Sequence, residues 1–575
     1  MRKLLFISIS LLTSLGLFAQ ETKPDTLKTE EITVVKPYTP KISDAFKIKL
    51  NPTINVENIE KQNVNYKIYS IPVASIFQPT KGRAKKVTRP PKQTIYNNYI
   101  SAGFGTFTTP FFEAYLKHSP SKYTDVGVFV NHISSEGGID DLQLNDNYAD
   151  TSIEAFYNQF NRDYNWQINA GVTRNQTNFY GLPEQYNFSE NVIEAIDEKQ
   201  VYKTLKVGSK IAMEDSFFKG ASAEMINFSD SYSSNEFRLV ASPKLGLPIS
   251  TEKISAEFLA DLVVGKFNQT YLGDTNLEYS FLKLGVTPVF EIRRENLAID
   301  LGAKLYYNSD LENSNTDFKA YPNIVASYKL IDDVLIITAG ATGDLVHNTY
   351  QNFVAQNPYV APTLNILQTD KQYKAFGGIK GKLANNIIYN LEVSQSNEVN
   401  KPFFIHNQIQ TDGNTEVEKA FQAGNSFNVI YDEVKTLSFY GEMGIEASEE
   451  FNFKGTLTYN NYTTTNLFEA WNSPKFMATI TGNYSNNNWY AGATLFFRGK
   501  TKDYFKPHPG STTSPEIMEN KSYIDLNLSG GYHFSDRLTA FAKIQNALGE
   551  KYHRYLFYQV QPQQFLAGIT YKFDL

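Results

Sequence analysis

The C-terminal stretch FLAGITYKFDL constrains the fold more than any other part of the chain. Phe565, Ala567, Ile569, Tyr571, Phe573 and Leu575 are apolar or aromatic and alternate with Leu566, Gly568, Thr570, Lys572 and Asp574. A period of two places the first set on one face of an extended strand and leaves the other face mostly polar or small. YIDLNLSGGYHF repeats the pattern through Ile524, Leu526, Leu528, Tyr532 and Phe534. AGATLFFRGK, KFMATITGNYS, LAIDLGAKLYYNS and ISAEFLADLVVG carry it less cleanly. Glycines such as Gly103, Gly302 and Gly568 recur inside these runs, where a barrel strand uses them for bends and tight luminal packing.

Alternation alone does not say what covers the apolar face; composition does. The chain is polar on average, with a mean hydropathy of −0.37, yet 14% of it is aromatic. No apolar run long enough for a transmembrane helix follows residue 20. A soluble β-sandwich or β-solenoid would want a mostly apolar buried face and no aromatic girdles. Strands that cross a bilayer hide only every second residue in lipid, so their mean hydropathy stays low, and their Tyr and Phe gather at the two interfaces. The reading is an all-β, transmembrane, antiparallel up-and-down β-barrel.

The connections agree. Short turns are expected at SPSKY after His118, RREN at Arg293, LIDD at Leu330, LANN at Leu383, DEVK at Asp432 and HFSD at His533. Long polar stretches separate other strands, from Ser134 to Asp150, Gly181 to Tyr202, Gln351 to Lys371 and Lys500 to Lys521. Short turns alternating with long loops belong to an outer-membrane barrel, the turns on the periplasmic side and the loops outside. Strand candidates between Tyr96 and Leu575 number about 22, an even count as bacterial single-chain barrels require.

The N-terminus gives the address. Met1-Arg2-Lys3 is positive, Leu4 to Phe18 is mostly apolar, and Ala19-Gln20 offers a small-residue exit. This predicts a cleavable signal peptide over 1–20, against a retained anchor as the alternative, and export to the outer membrane of a Gram-negative bacterium. The chain has 0 Cys, which closes both disulfide stapling and lipid acylation. Residues 21–93 differ from the rest. Prolines at 37, 40, 52, 72, 79, 90 and 91 argue against a continuous sheet or helix. The run Lys81, Arg83, Lys85, Lys86, Arg89 and Lys92 predicts a solvated basic linker, with contact to anionic headgroups or an acidic partner as the alternative. The barrel itself is expected over 94–575.

Catalytic and metal signatures are missing. The 7 His show no ligand spacing, and there is no Walker loop, G-x-S-x-G or zinc motif. The loop EGGIDDLQLNDNYAD (Glu136, Asp140, Asp141, Asp146, Asp150) has carboxylate density but no EF-hand order. The net charge of −6 gives no nucleic-acid footprint. Neither an enzyme nor a cofactor or metal site is expected.

The run LTAFAKIQNALGEKYHRYLFYQVQPQQFLAGITYKFDL resembles the end of a TonB-dependent receptor, with Asn546, Ala547, Leu548, Gly549, Glu550, Lys551 and Tyr552 where that family has Asn-Leu followed by a turn with Lys and Tyr. The family's Asn-Leu is Asn546-Ala547 here, a small departure. The terminal strand resembles the family's recognition signal for the barrel-assembly machinery, at Ile569, Tyr571, Phe573 and Leu575, although the usual final Phe is Leu575. EITVV, at Glu31, Ile32, Thr33, Val34 and Val35, resembles the TonB box, which pairs as an added strand with a TonB-type energy transducer. The main departure is the plug. The family's plug takes well over 100 residues, and only about 60 separate Val35 from the first strand here.

That shortage can be sized. A barrel of about 22 strands is roughly 44 Å across, and its lumen over a bilayer holds on the order of 20,000 Å³. Sixty to seventy residues at protein density fill about 9,000 Å³. Three outcomes follow: an open pore, long loops folded inward, or a plugging or lipoprotein partner. The expected function is receptor-like uptake of solutes in contact with outer-membrane lipid. A plugless scaffold or assembly partner and a passive porin are the alternatives.

Overall fold

The closing strand Gln564–Phe573 turns alternate residues outward: Ile569 is 56% exposed and Tyr571 45%. The same holds around the wall, where Val172, Leu205, Leu239, Leu284, Ile324 and Ile480 are all exposed. A continuous ring of exposed branched side chains is costly in water and favourable in hydrocarbon. The computed structural model describes residues 95–214, 216–249, 252–273, 277–512 and 514–575. The expected signal segment, Glu31–Val35 and the basic run lie outside the described residues.

The wall is one 22-stranded sheet in which each strand pairs antiparallel with its neighbours in the sequence. The first strand, Asn98–Gly105, pairs with Thr109–Ser121 on one side and with Gln564–Phe573 on the other, so the sheet closes. Closure removes both sheet edges, as a strand in lipid requires. At the seam Ser101 and Thr570 share a hydrogen bond of 2.7 Å on the luminal face. Gly103 and Gly568 face each other there, and a Cβ on Gly103 would lie 2.7 Å from the Ala567 carbonyl oxygen. The glycine at that position lets the first and last strands approach.

The even strand count leaves the first strand's start and the last strand's end on one rim, with the short turns. Those at 122–123, 294–296, 332–334, 385–386 and 534–537 fall where they were expected. The turn expected at Asp432 does not exist. Asp432 lies inside Phe427–Glu446, a 20-residue strand paired with the 20 residues of Ile387–His406. At about 3.3 Å per residue this hairpin outruns a 30 Å hydrocarbon core, so its outer part stands in water where charge is free of the lipid penalty. There the Asp432 carboxylate accepts backbone N–H bonds of 2.9 Å from Thr465, Asn466 and Leu467. It anchors the neighbouring loop and turns no chain.

Candidate functional site

The long loops fold inward and close across the outer mouth of the barrel. Tyr180, Tyr359 and Tyr558 come from three loops spaced around the rim, 179–198, 347–368 and 546–563. Tyr359 and Tyr558 stack with centroids 3.5 Å apart, and Tyr180 meets Tyr558 edge-on at 4.9 Å. Loops that start about a third of the way round the wall from one another therefore touch over the lumen. Around this contact lies a continuous apolar core that includes Phe188, Phe353, Val360, Ile409, Phe427 and Phe505. The aromatic excess thus has two destinations, the lipid interface and this cap.

Tyrosine hydroxyls tie the layers together. Tyr180 donates to the Gln559 carbonyl and Tyr202 to that of Pro358, both at 2.8 Å. Tyr555 donates to Gln356 at 2.8 Å and Tyr558 to Asn425 at 2.5 Å. Each bond ties a tyrosine to a carbonyl on a loop far from it in the sequence. Burial raises the Tyr558 hydroxyl well above the usual phenol range, so it stays a neutral donor.

A short helix, Tyr350–Gln356, forms the centre of the cap. Thr349 opens it by accepting from the Asn352 N–H at 3.1 Å. Glu236, at the outer end of a wall strand, accepts from the N–H groups of Tyr350 (2.6 Å) and Gln351 (3.2 Å) and from the Tyr279 hydroxyl (2.5 Å). The carboxylate satisfies two free donors of the first turn. The Tyr350 ring packs among Tyr202, Phe228 and Phe267, and its hydroxyl donates to Asp230 at 2.8 Å.

A second polar knot holds the outer side. His406 donates from Nε2 to the Gly424 carbonyl at 2.7 Å, and its own N–H meets Asp503 at 3.0 Å. Asp503 also accepts from Asn472 at 2.7 Å. Burial pushes His406 down to about 4 and Asp503 up to about 6. Burial penalises the charged form of both groups.

Below the cap is a cavity of about 1330 Å³. The underside of the cap supplies Gln351, Tyr359, Arg554 and Tyr558, and the wall supplies residues from the first strands and the last ones. On the other side of the barrel the luminal wall carries paired charges, buried around Asp261 and partly exposed elsewhere. There Arg238 grips Asp261 through two bonds of 2.9 Å, and buried Lys283 donates to the Leu345 carbonyl at 2.7 Å. Lys304 pairs with Asp344 at 2.7 Å and Lys319 with Asp370 at 3.2 Å.

Of the residues singled out in the sequence, Ile569 and Tyr571 face outward and Leu575 is 70% exposed, while Phe573 ends the closing strand. Glu31–Val35 lie outside the described residues. Asn546 begins the last loop and closes its base, donating to Glu550 and accepting from the same residue's N–H. Tyr552 stacks on Tyr523 at 3.8 Å. The acidic loop's carboxylates accept hydrogen bonds from within the protein. Asp146 accepts from the Ile139 N–H and Gln561, and Asp150 from Asn175. No group of His, Asp or Glu suited to a metal ion occurs among the described residues. Sequence reasoning missed Glu236, Tyr350, His406, Asp503 and Tyr558. The available signal was aromatic residues placed deep inside long loops, away from strand ends.

No protein-family model and no curated protein matches the chain. Solved structures do. The ferripyoverdine receptor of the outer membrane of Pseudomonas aeruginosa aligns with a TM-score of 0.61 at 12% identity, over 83% of this chain and 72% of that one. The ferric-catecholate import receptor Fiu of E. coli aligns with 0.61 at 10% identity, over 83% and 82%. The siderophore receptor PirA of Acinetobacter baumannii aligns with 0.61 at 10% identity, over 84% and 81%. This chain is similar to these receptors in the architecture of its closed barrel.

Proposed function

We propose that the chain is a TonB-dependent-receptor-like barrel of the outer membrane that admits solutes through its lumen, with the inward-folded loops as its outer gate. The observation that carries this reading is the cavity directly beneath a cap built from loops on several sides of the rim. A cap of this kind narrows the outer mouth, which disfavours a passive porin, and loops are the elements of a barrel that can move without breaking the wall. Glu31–Val35 would dock a TonB-type energy transducer, with 21–93 as a reduced plug. Ile569, Tyr571, Phe573 and Leu575 would be read by the barrel-assembly machinery during insertion. The fold shared with outer-membrane receptors supports the placement.

A scaffold role is the second reading, and one observation favours it. Phe468 is 92% exposed and Leu272 65% at a groove on the outer loops, apolar surface that a protein partner could cover.

The test uses the absence of native cysteine. Tyr359→Cys and Tyr558→Cys are introduced together, and a short bifunctional thiol reagent joins the two loops in cells. Solutes that wild-type cells deplete from a complex medium, and cells lacking the chain do not, should remain after crosslinking and after deletion of Thr29–Val35. Undiminished depletion in both cases would sink the uptake reading in favour of the scaffold.

A further inference from the structure

The open side of the lumen has a composition that selects its ligand. Tyr99, Tyr115 and Phe156 form a run of near-parallel rings on the cavity wall. Tyr99 and Tyr115 lie 6.1 Å apart with planes 20° apart, and Tyr115 and Phe156 lie 6.0 Å apart at 21°. The run crosses four adjacent strands, and one glycine makes it continuous. A Cβ at Gly127 would sit 2.4 Å from the Phe156 ring, so only glycine on the intervening strand lets that ring lie across it toward Tyr115. The Tyr99 hydroxyl is held by Glu113 at 2.7 Å, which fixes the first ring.

Uncharged amides surround the rings. Gln167, Asn169 and Asn175 lie on one flank, and Asn527, Gln545 and Gln564 on the other. A side-chain amide both donates and accepts, as a hydroxyl does, so this wall matches a ligand rich in hydroxyls. The charges point the same way. The cavity carries Asp146, Asp150, Glu154 and Asp525 against Lys206 and Arg554. Lys206 is already paired with Glu224 at 2.7 Å. One Asp525 carboxylate oxygen is buried without a hydrogen-bond partner. Among the described residues, an anionic ligand would meet an excess of carboxylates and one guanidinium, Arg554, that forms no ion pair. The volume exceeds the roughly 300–1,000 Å³ of ordinary small-molecule sites, which suits an oligomer.

We propose that this cavity binds an uncharged oligosaccharide, its sugar faces laid against Tyr99, Tyr115 and Phe156 and its hydroxyls on the flanking amides. The proposal rests on the reading of the lumen as a solute path and names the class of solute. An apolar ring face with a polar edge suits an amphipathic sugar ring, and loss of one such contact is worth about tenfold in affinity.

Calorimetric titration of the purified full-length protein tests it, with maltohexaose, cellohexaose, mannohexaose and the anionic hexagalacturonate as probes. At least one neutral hexamer should bind ten or more times more tightly than hexagalacturonate, and Tyr115→Ala should weaken it about tenfold. Phe156→Leu serves as the second variant, and retained resistance to dodecyl sulfate at room temperature certifies that each barrel is folded. Equal or tighter binding of hexagalacturonate, no binding of any neutral hexamer, or unchanged affinity in both folded variants overturns the proposal. Tight neutral binding by a chain that fails the crosslinking assay counts against uptake alone. Passage of solutes with hexagalacturonate bound most tightly counts against the ligand class alone.

Discussion

The two sides of the lumen solve the same problem in opposite ways. Strands from residue 235 to 446 carry paired charges on their inner face: Asp261 with Arg238 and Lys283 in a buried cluster, and Asp344 with Lys304 and Asp370 with Lys319 in partly exposed pairs. The first and last strands carry mainly amides and aromatic rings, and they are left facing the cavity. A charge removed from water needs a partner, whereas an amide facing a wet cavity does not. The charge-paired side therefore supports the cap through the buried Asp261 cluster, and the other side is free to meet a ligand.

The comparison breaks most visibly at Asp261. Asp261→Asn leaves Arg238 and the buried Lys283 without their carboxylate, and should destabilise the barrel by about 3–5 kcal/mol. Glu154→Gln on the open side should stay within about 0.5 kcal/mol. Thermal unfolding followed by gel mobility in dodecyl sulfate separates the two, and equal effects would erase the distinction.

Next in size is the pH response of the cap. His406 has its folded value lowered to about 4, so its contribution is complete above its ordinary value near 6.5 and is lost as pH falls through 4. The full effect is on the order of 3 kcal/mol. Asp503 is raised to about 6, so its contribution is complete below its ordinary value near 3.8 and is lost as pH rises through 6. The two oppose each other between pH 4 and 6. Asp503→Asn should make hydrogen exchange over 407–426 rise more steeply on acidification than in the wild type, and parallel profiles would contradict the assignment.

Glu236→Ala removes two hydrogen bonds at the start of the cap helix and one from the wall residue Tyr279, and should weaken the cap by about 2 kcal/mol. Faster proteolysis confined to 347–368 is the readout. The smallest effect belongs to Tyr558→Phe, which keeps the ring stack on Tyr359 and loses one bond to Asn425. About 1 kcal/mol is expected, read as local exchange in the last loop.

The wall was legible because lipid imposes a rule on every strand. Ile569 and Tyr571 sit on the outer face that their period of two assigns, and the even strand count follows from repeating that reading. The rule stops where strands leave the bilayer, which is why Asp432 resembled a turn. The cap was illegible for a different reason. Its contacts join residues far apart in the chain, such as Tyr555 with Gln356 and Tyr558 with Asn425, and no local period marks them. A lumen too large for about 60 to 70 residues to fill left three outcomes. Inward-folded loops are what the structure adds, and the Tyr180–Tyr359–Tyr558 contact is where they meet.

Planar-bilayer conductance of the purified full-length protein tests that closure most directly. The account predicts a quiet bilayer for the wild type and discrete openings when Tyr359→Ala and Tyr558→Ala are combined. A large, steady current through the wild-type protein would contradict it.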